Sequence, residues 1–473
     1  MREALTLCWS VSRPKGKTNL ELSSDIEFKP LIRRHRLGAQ DLPMILLGIA
    51  VLQFFIGILE PFFVDVGINP EPIRFIRHAH LAPLGLAFLV LIGMQGAMAS
   101  VARPVAGWLV WVVVAMISMF IIGLLRGVFF SAALLDAGIY EAFVVAFLVG
   151  ARHENWKIVH RFFAILFYSG VVIMAVELLL IESAVRDDSI SSVAYHVRSV
   201  LFAWPLLLFT AGTAPRFQKL CTAAGMGLIV LMYVLFQKRA PTVRVAFALL
   251  LFLWLVPGVV RAARMKLRLF VVVGTLSVLL FSGFMASTQS ESANLVSESS
   301  MALAGRFQGS SGFMDTLTKE NQRWEEAKFF FDEASELELV FGKGFGGAVP
   351  VAWWWSPGLA ITEDGRTFHG VYSMHIGLSH PLLKGGFFFW FIFFGGWVML
   401  LFRLHHYRSD SRAVACWAVV LINFVFMSVE TLWGSSNVVT VILIGFCLGY
   451  LGNRKFWGPR PDPNSPEPAE VEA

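Results

Sequence analysis

Three histidines and a few arginines are the residues of this chain best suited to chemistry. His369, His375 and His380 follow one another at spacings of six and five residues. An imidazole titrates near neutral pH and can take a proton from a hydroxyl. Spacings of six and five do not place neighbouring rings of the three on one helix face, and no carboxylate stands among them, so no metal site is expected. A histidine is more often structural than catalytic, so at least two of the three are expected to serve packing.

Arg306 and Arg323 lie in the same polar stretch, and Arg126, Arg239 and Arg244 lie at the ends of apolar runs. A guanidinium stays charged when partly desolvated and pairs phosphate oxygens through two parallel N–H groups. The bland alternatives are snorkelling to lipid headgroups and, for Arg323, pairing along a helix with Glu320 or Glu326. Between the arginines and the histidines stands FGKGFGG, with Gly342, Gly344, Gly346 and Gly347. It lacks the GK[ST] ending of a nucleotide-binding loop.

The elements that must position these residues are apolar. Apolar residues make up 56% of the 473 and charged residues only 15%, with a mean hydropathy of +0.66. Runs long enough to cross a bilayer recur throughout, so the chain is expected to be an all-α, polytopic membrane helix bundle. Expected spans are 43–63, 81–100, 105–125, 129–150, 162–181, 199–214, 221–236, 245–260, 269–286, 385–402, 413–430 and 434–451. With about 12 transmembrane helices, both termini share a side.

Basic residues cluster in 1–42, 261–268, 403–412 and after the last span, which places these segments and both termini in the cytoplasm. That distribution, rather than nucleic-acid binding, accounts for the net charge of +6. Residues 1–42 form a basic N-terminal segment without the apolar core of a signal peptide. The bundle continues through 286, and a large external loop subdomain, 287–384, follows the ninth span. The last three spans occupy 385–451, and the Pro-rich acidic tail 452–473 is expected to be disordered. Four cysteines without a CxxC give neither a disulfide framework nor zinc.

The external loop carries seven Lys and Arg against twelve Asp and Glu. Any phosphate there must be held by particular arginines in an acidic setting. Residues 315–342 show helical spacing through Trp324, Ala327, Phe331 and Ala334 or Ser335 and are expected to form one helix.

Taken in order, these features resemble the bacterial O-antigen ligase and O-antigen polymerase superfamily of integral-membrane glycosyltransferases. The resemblance rests on LLRGVFFSAALLDAGIYEAFVVAFLVG (124–150), on KRAPTVRVAFALLLFLWLV, on RWEEAKFFFDEASELELVFGKGFGG and on HIGLSHPLLKGGFFFWFIFFGG. Together these cover residues 124–150 and roughly 237–400.

The resemblance implies metal- and cofactor-independent glycosyl transfer at the outer face of a bacterial inner membrane. The donor would be a polyprenyl-diphosphate-linked glycan and the acceptor a glycan or lipid-linked saccharide, with polysaccharide assembly proteins as further partners. It gives the diphosphate to Arg244 and Arg323, with Arg239, Arg126 and Arg306 in reserve, and turn roles to Gly342, Gly344 and Gly386. His375 becomes the base, with His369 and His380 as alternatives. The competing expectations are a flippase for the same lipids, for which Asp136, Glu141 and Glu177 are the acidic candidates within spans, and a non-catalytic membrane component of an assembly complex.

Overall fold

The computed structural model describes residues 41–58, 69, 72, 79–93, 98–184, 203–210, 216–235, 239–255, 330–332, 334–347, 349–350, 360–363, 366–371, 377–428 and 438–458. Their helices are α1 (Leu42–Ile58), α2 (Leu81–Gly93), α3 (Arg103–Leu125), α4 (Phe130–Gly150), α5 (Trp156–Ala184), α6 (Trp204–Thr210), α7 (Arg216–Leu235), α8 (Arg239–Leu255), α9 (Glu336–Phe341), α10 (Ser379–Leu401), α11 (Leu404–Tyr407), α12 (Ser411–Phe426) and α13 (Val438–Leu451). Helix occupies at least part of every expected span except 269–286, which lies outside the described residues.

Among the described residues, four helical stretches are long and apolar enough to cross a membrane: α3, α4, His153–Ile173 and α10. At about 1.5 Å per residue, the 23 residues of α3 exceed the roughly 30 Å of a hydrocarbon core. Its sides divide accordingly. Val105, Leu109, Val112 and Met119 are buried, whereas Trp111, Val114, Ile117 and Ile121 are exposed, as lipid-facing residues must be.

The bundle is built around α4, buried from Gly138 to Gly150 apart from half-buried Glu141. Its closest partner is α13, and glycines bring the two backbones together. A Cβ on Gly445 would meet the Phe143 carbonyl oxygen at 2.6 Å, and one on Gly449 would collide with that of Phe147. Gly445 and Gly449 thus form the small-residue pair, four apart, that lets membrane helices pack by close backbone approach. On the other side of α4, α10 contributes Phe389, Phe393 and Trp397. The Phe143 and Trp397 rings stack with centroids 6.2 Å apart. Trp108 of α3 donates its indole N–H to the Ile392 carbonyl at 2.7 Å, which ties α3 to α10.

One end of the bundle gathers 98–102, 151–155, 403–412 and 452–457. The Ala102 N–H donates to Gly452 O at 2.9 Å and the Arg454 N–H to Ser100 O at 2.8 Å. Asn453 donates to Ala151 O at 2.6 Å and Arg403 to Phe456 O at 3.2 Å. Lys455 pairs with Asp410 at 2.8 Å. Burial alone would raise the Asp410 carboxyl, but hydrogen bonds from Lys455, Arg412 and Ala413 and the Lys455 charge hold it below the usual carboxylate range. The other end gathers 123–133, 336–347 and 377–386.

The loop is not purely helical. A small antiparallel sheet of order β1-β3-β2 is formed by β1 (Val349–Pro350), β2 (Ala360–Glu363) and β3 (Arg366–Val371). Glu363 pairs with Arg366, so Asp364 and Gly365 fall between them in sequence. Asp-Gly between strand-forming residues is the strongest short hairpin signal. The all-α expectation thus describes the bundle but not the loop.

A candidate site beneath a glycine-rich turn

The approach to the turn is a short capped helix. Ser335 caps α9 by accepting from the Glu338 N–H, while the Glu338 carboxylate accepts from the Ser335 N–H at 3.0 Å. This capping box starts a new helix. It corrects the expectation of one helix over 315–342, because the chain is non-helical at Ala334 and Ser335; residues 315–329 lie outside the described residues.

Gly342, Gly344 and Gly346 follow at φ of 71°, 81° and 76°, where only glycine sits without strain. They also permit contact. A Cβ on Gly344 would collide with the backbone of Gly123 in α3, and one on Gly342 with the Lys384–Gly385 peptide at the start of α10. Gly386, at φ 60° and ψ −167°, kinks α10 where the backbone of Val340 and Phe341 presses against it.

The N–H groups of the turn are hydrogen-bonded within the protein. Lys343 N–H donates to Leu383 O at 2.8 Å, Gly344 N–H to Lys384 O at 2.9 Å and Phe345 N–H to Met119 O at 3.0 Å. Gly346 N–H donates to the Asp136 carboxylate at 2.7 Å and Gly347 N–H to Gly344 O at 3.2 Å. The turn lies level with Gly123, close to Leu125, which is 82% exposed, and to exposed Phe129 and Phe130. Non-helical backbone next to such apolar helix ends is tolerated where protein satisfies its polar groups, as it does the N–H donors of this turn.

Two charge clusters flank the turn. Lys384 of α10, fully buried, places Nζ 2.6 Å from Asp136 Oδ2 and donates to Gly347 O at 2.7 Å. A buried ammonium requires such partners. Nearer the surface, Arg126 and Lys343 reach the same oxygen of Glu338, at 2.6 and 3.4 Å. Burial by itself would raise the Glu338 carboxyl, but the Ser335 N–H, Arg126 and Lys343 together hold it below the ordinary range.

Arg244 is buried within α8, 2% exposed. Its Nη2 donates to Asn423 Oδ1 at 3.4 Å, and its guanidinium lies 5.2 Å from the centre of the Phe426 ring. The same end of α12 holds the chain leading into α10, for Met427 O accepts from the Leu378 N–H at 3.1 Å. Arg244 therefore stands near Leu378, three residues on from His375 in sequence.

The remaining expected residues fall as follows. His375, Arg306 and Arg323 lie outside the described residues. His369 is in β3, its backbone paired with Ala360, and Arg239 opens α8; the side chains of both lie outside the description. His380 is fully buried, its ring stacked on Tyr140 with centroids 6.3 Å apart. Tyr140 in turn stacks on Phe345 of the turn, with centroids 5.3 Å apart. Arg126, expected as a phosphate ligand, is engaged by Glu338.

Sequence reasoning missed Lys384 and Glu338, and took Asp136 as part of the resemblance and as a transport candidate, not as the partner of a lysine. The signals were a lone Lys inside an apolar run and Ser-x-x-Glu ahead of the glycines. Among the described residues no cluster of His, Cys, Asp and Glu would hold a metal ion. Comparison of the chain with known protein families and with curated proteins finds no match.

Proposed function

We propose that this membrane protein is a glycosyltransferase that polymerises or ligates polyprenyl-diphosphate-linked glycans at the outer face of a bacterial inner membrane. The observation that supports this reading is that cations stand on two sides of the start of α10: Arg244 binds the end of α12 that holds Leu378, and Lys343, which shares Glu338 with Arg126, donates its N–H to Leu383. A lipid-linked diphosphate presents its phosphates at the level where a bundle ends, and a cation held there meets it without entering bulk water.

In the proposed step the acceptor hydroxyl oxygen forms a bond to the anomeric carbon while the bond from that carbon to the diphosphate oxygen breaks. His375 takes the hydroxyl proton. Arg244 and Arg323 stabilise the charge gathering on the departing diphosphate, and the glycine-rich turn sets the end of α10 from which His375 is reached. Alanine substitution of His375 or Arg244, at unchanged protein level, is expected to abolish polymer. Lipid-linked glycans from a deletion strain separate the two activities. Single units capped on the acceptor mark a lost polymerase, long chains stranded on the carrier mark a lost ligase, and unaltered glycans reject both.

One observation favours a second reading, a transporter of the same lipids. The Lys384–Asp136 pair lies inside membrane-crossing helices, where ionisable groups often line a transport path. Glycan left on the inner leaflet in Asp136→Asn, with normal polymer in His375→Ala, would select it.

A further inference from the structure

We infer that α9 is an interfacial anchor whose outer face is immersed in the hydrocarbon edge of the bilayer, holding the loop subdomain against the lipid. Leu337, Val340 and Phe341 are 68, 45 and 44% exposed. Their spacing puts them on one stripe of the helix, with Glu336 at its edge. Glu338 and Leu339 point the other way, the first to Arg126 and Lys343 and the second onto Phe330, Leu382 and Leu383. In a loop whose charged residues are mostly acidic, an outward apolar stripe is out of place against water.

Its occupant is identified by continuity. The Phe341 ring lies 6.1 Å from Phe388, and Phe331 lies 6.3 Å from Phe387, which in turn lies 6.1 Å from Phe391. Phe387, Phe388 and Phe391 are exposed along membrane-crossing α10, so the stripe on α9 prolongs the lipid-facing surface of the bundle. Leu125 and Phe130 put exposed apolar side chains at the same end of α3 and α4. The partner is bulk lipid, whose acyl chains meet such a stripe without directional contacts.

The test is site-directed spin labelling of the full chain, with its native cysteines replaced, in lipid nanodiscs. Labels are placed singly at Leu337→Cys and Phe341→Cys, with Phe391→Cys as the lipid-facing reference and Arg408→Cys as the aqueous one. Power saturation compares collision with oxygen, which concentrates in lipid, against a water-soluble nickel chelate. Both α9 labels are expected to match Phe391→Cys, with oxygen collisions severalfold above those of the chelate. Free collision with the chelate at both sites overturns the inference, and so does shielding from both reagents, which would mean that protein covers the stripe. Labels at Val340→Cys and Phe331→Cys repeat the measurement should either first variant fail to fold.

Discussion

Lys384 and Asp136 meet 2.6 Å apart inside the protein, and both also bind the backbone of the glycine-rich turn, at Gly347 O and Gly346 N–H. Removing one partner leaves a buried charge uncompensated, at a cost of about 3–5 kcal/mol. Lys384→Met and Asp136→Asn are each expected to lower thermal stability in detergent. The double variant is expected to lose less than the two single losses added together. Additive losses in that double-mutant cycle would mean the pair is not coupled.

The turn glycines differ from a glycine that merely needs its backbone angle. Gly127 sits at φ 78° with nothing within 4 Å of a Cβ, whereas Gly344, at φ 81°, abuts Gly123. Gly127→Ala should cost only the left-handed backbone penalty of about 1–2 kcal/mol. Gly344→Ala should cost that plus displacement of the turn from α3, read as protease cutting near residues 342–347. Equal sensitivity of the two variants would contradict the described seating.

Glu338 gives a pH dependence of known sign. Its carboxyl lies lower in the folded chain than the ordinary 4.5, so between those values the folded protein binds fewer protons than the unfolded. The stabilisation is complete above pH 4.5, declines as pH falls and is lost below the folded value. Protection of the Gly342 and Lys343 amides from hydrogen exchange, taken relative to the intrinsic rate at each pH, should therefore fall on acidification, and Glu338→Gln should remove that part of the dependence. An unchanged profile in Glu338→Gln would assign the acid sensitivity to another group.

The seam between α4 and α13 depends on absent side chains. Gly449→Val would drive two methyl groups toward the Phe147 carbonyl, and overpacking of this kind costs about 1–3 kcal/mol or more. The expected readout is a lower melting temperature and reduced accumulation, while Gly395→Ala, with open space at its Cβ, should behave as the parent.

On the proposed chemistry, His375→Ala is expected to reduce glycan transfer about 10²–10⁴-fold, the usual contribution of a general base. Arg244→Lys should not restore the activity lost in Arg244→Ala, because an ammonium lacks the planar fork that holds two phosphate oxygens. Full activity in Arg244→Lys would reduce Arg244 to a simple positive charge.

The helices were legible because their burial follows directly from apolar runs. The turn was legible only as a break. Four glycines announce that a helix stops, but not that the backbone will press into Gly123 and Lys384. Those contacts join Gly344 to Gly123, more than two hundred positions away, and Gly342 to Lys384, about forty away, and no local pattern encodes them. Lys384 escaped notice for the same reason: its partner, Asp136, belongs to an early helix and looked like a transport residue. Ser335 and Asp364–Gly365, by contrast, carry ordinary local signals: a helical reading of 315–342 passed over the first, and the second lies beyond that reading. Arg244 is linked to the chain ahead of α10 only through Met427 and Leu378, again a contact between distant segments.

The close union of α4 with α13 has a consequence for biogenesis. A ribosome delivers α4 to the membrane long before α13, and in the interval the groove that Gly445 and Gly449 will occupy is open to lipid. The bundle thus reaches its final topology only after synthesis of its late spans. Chains released early would present that unfilled seam to the cell's membrane proteases.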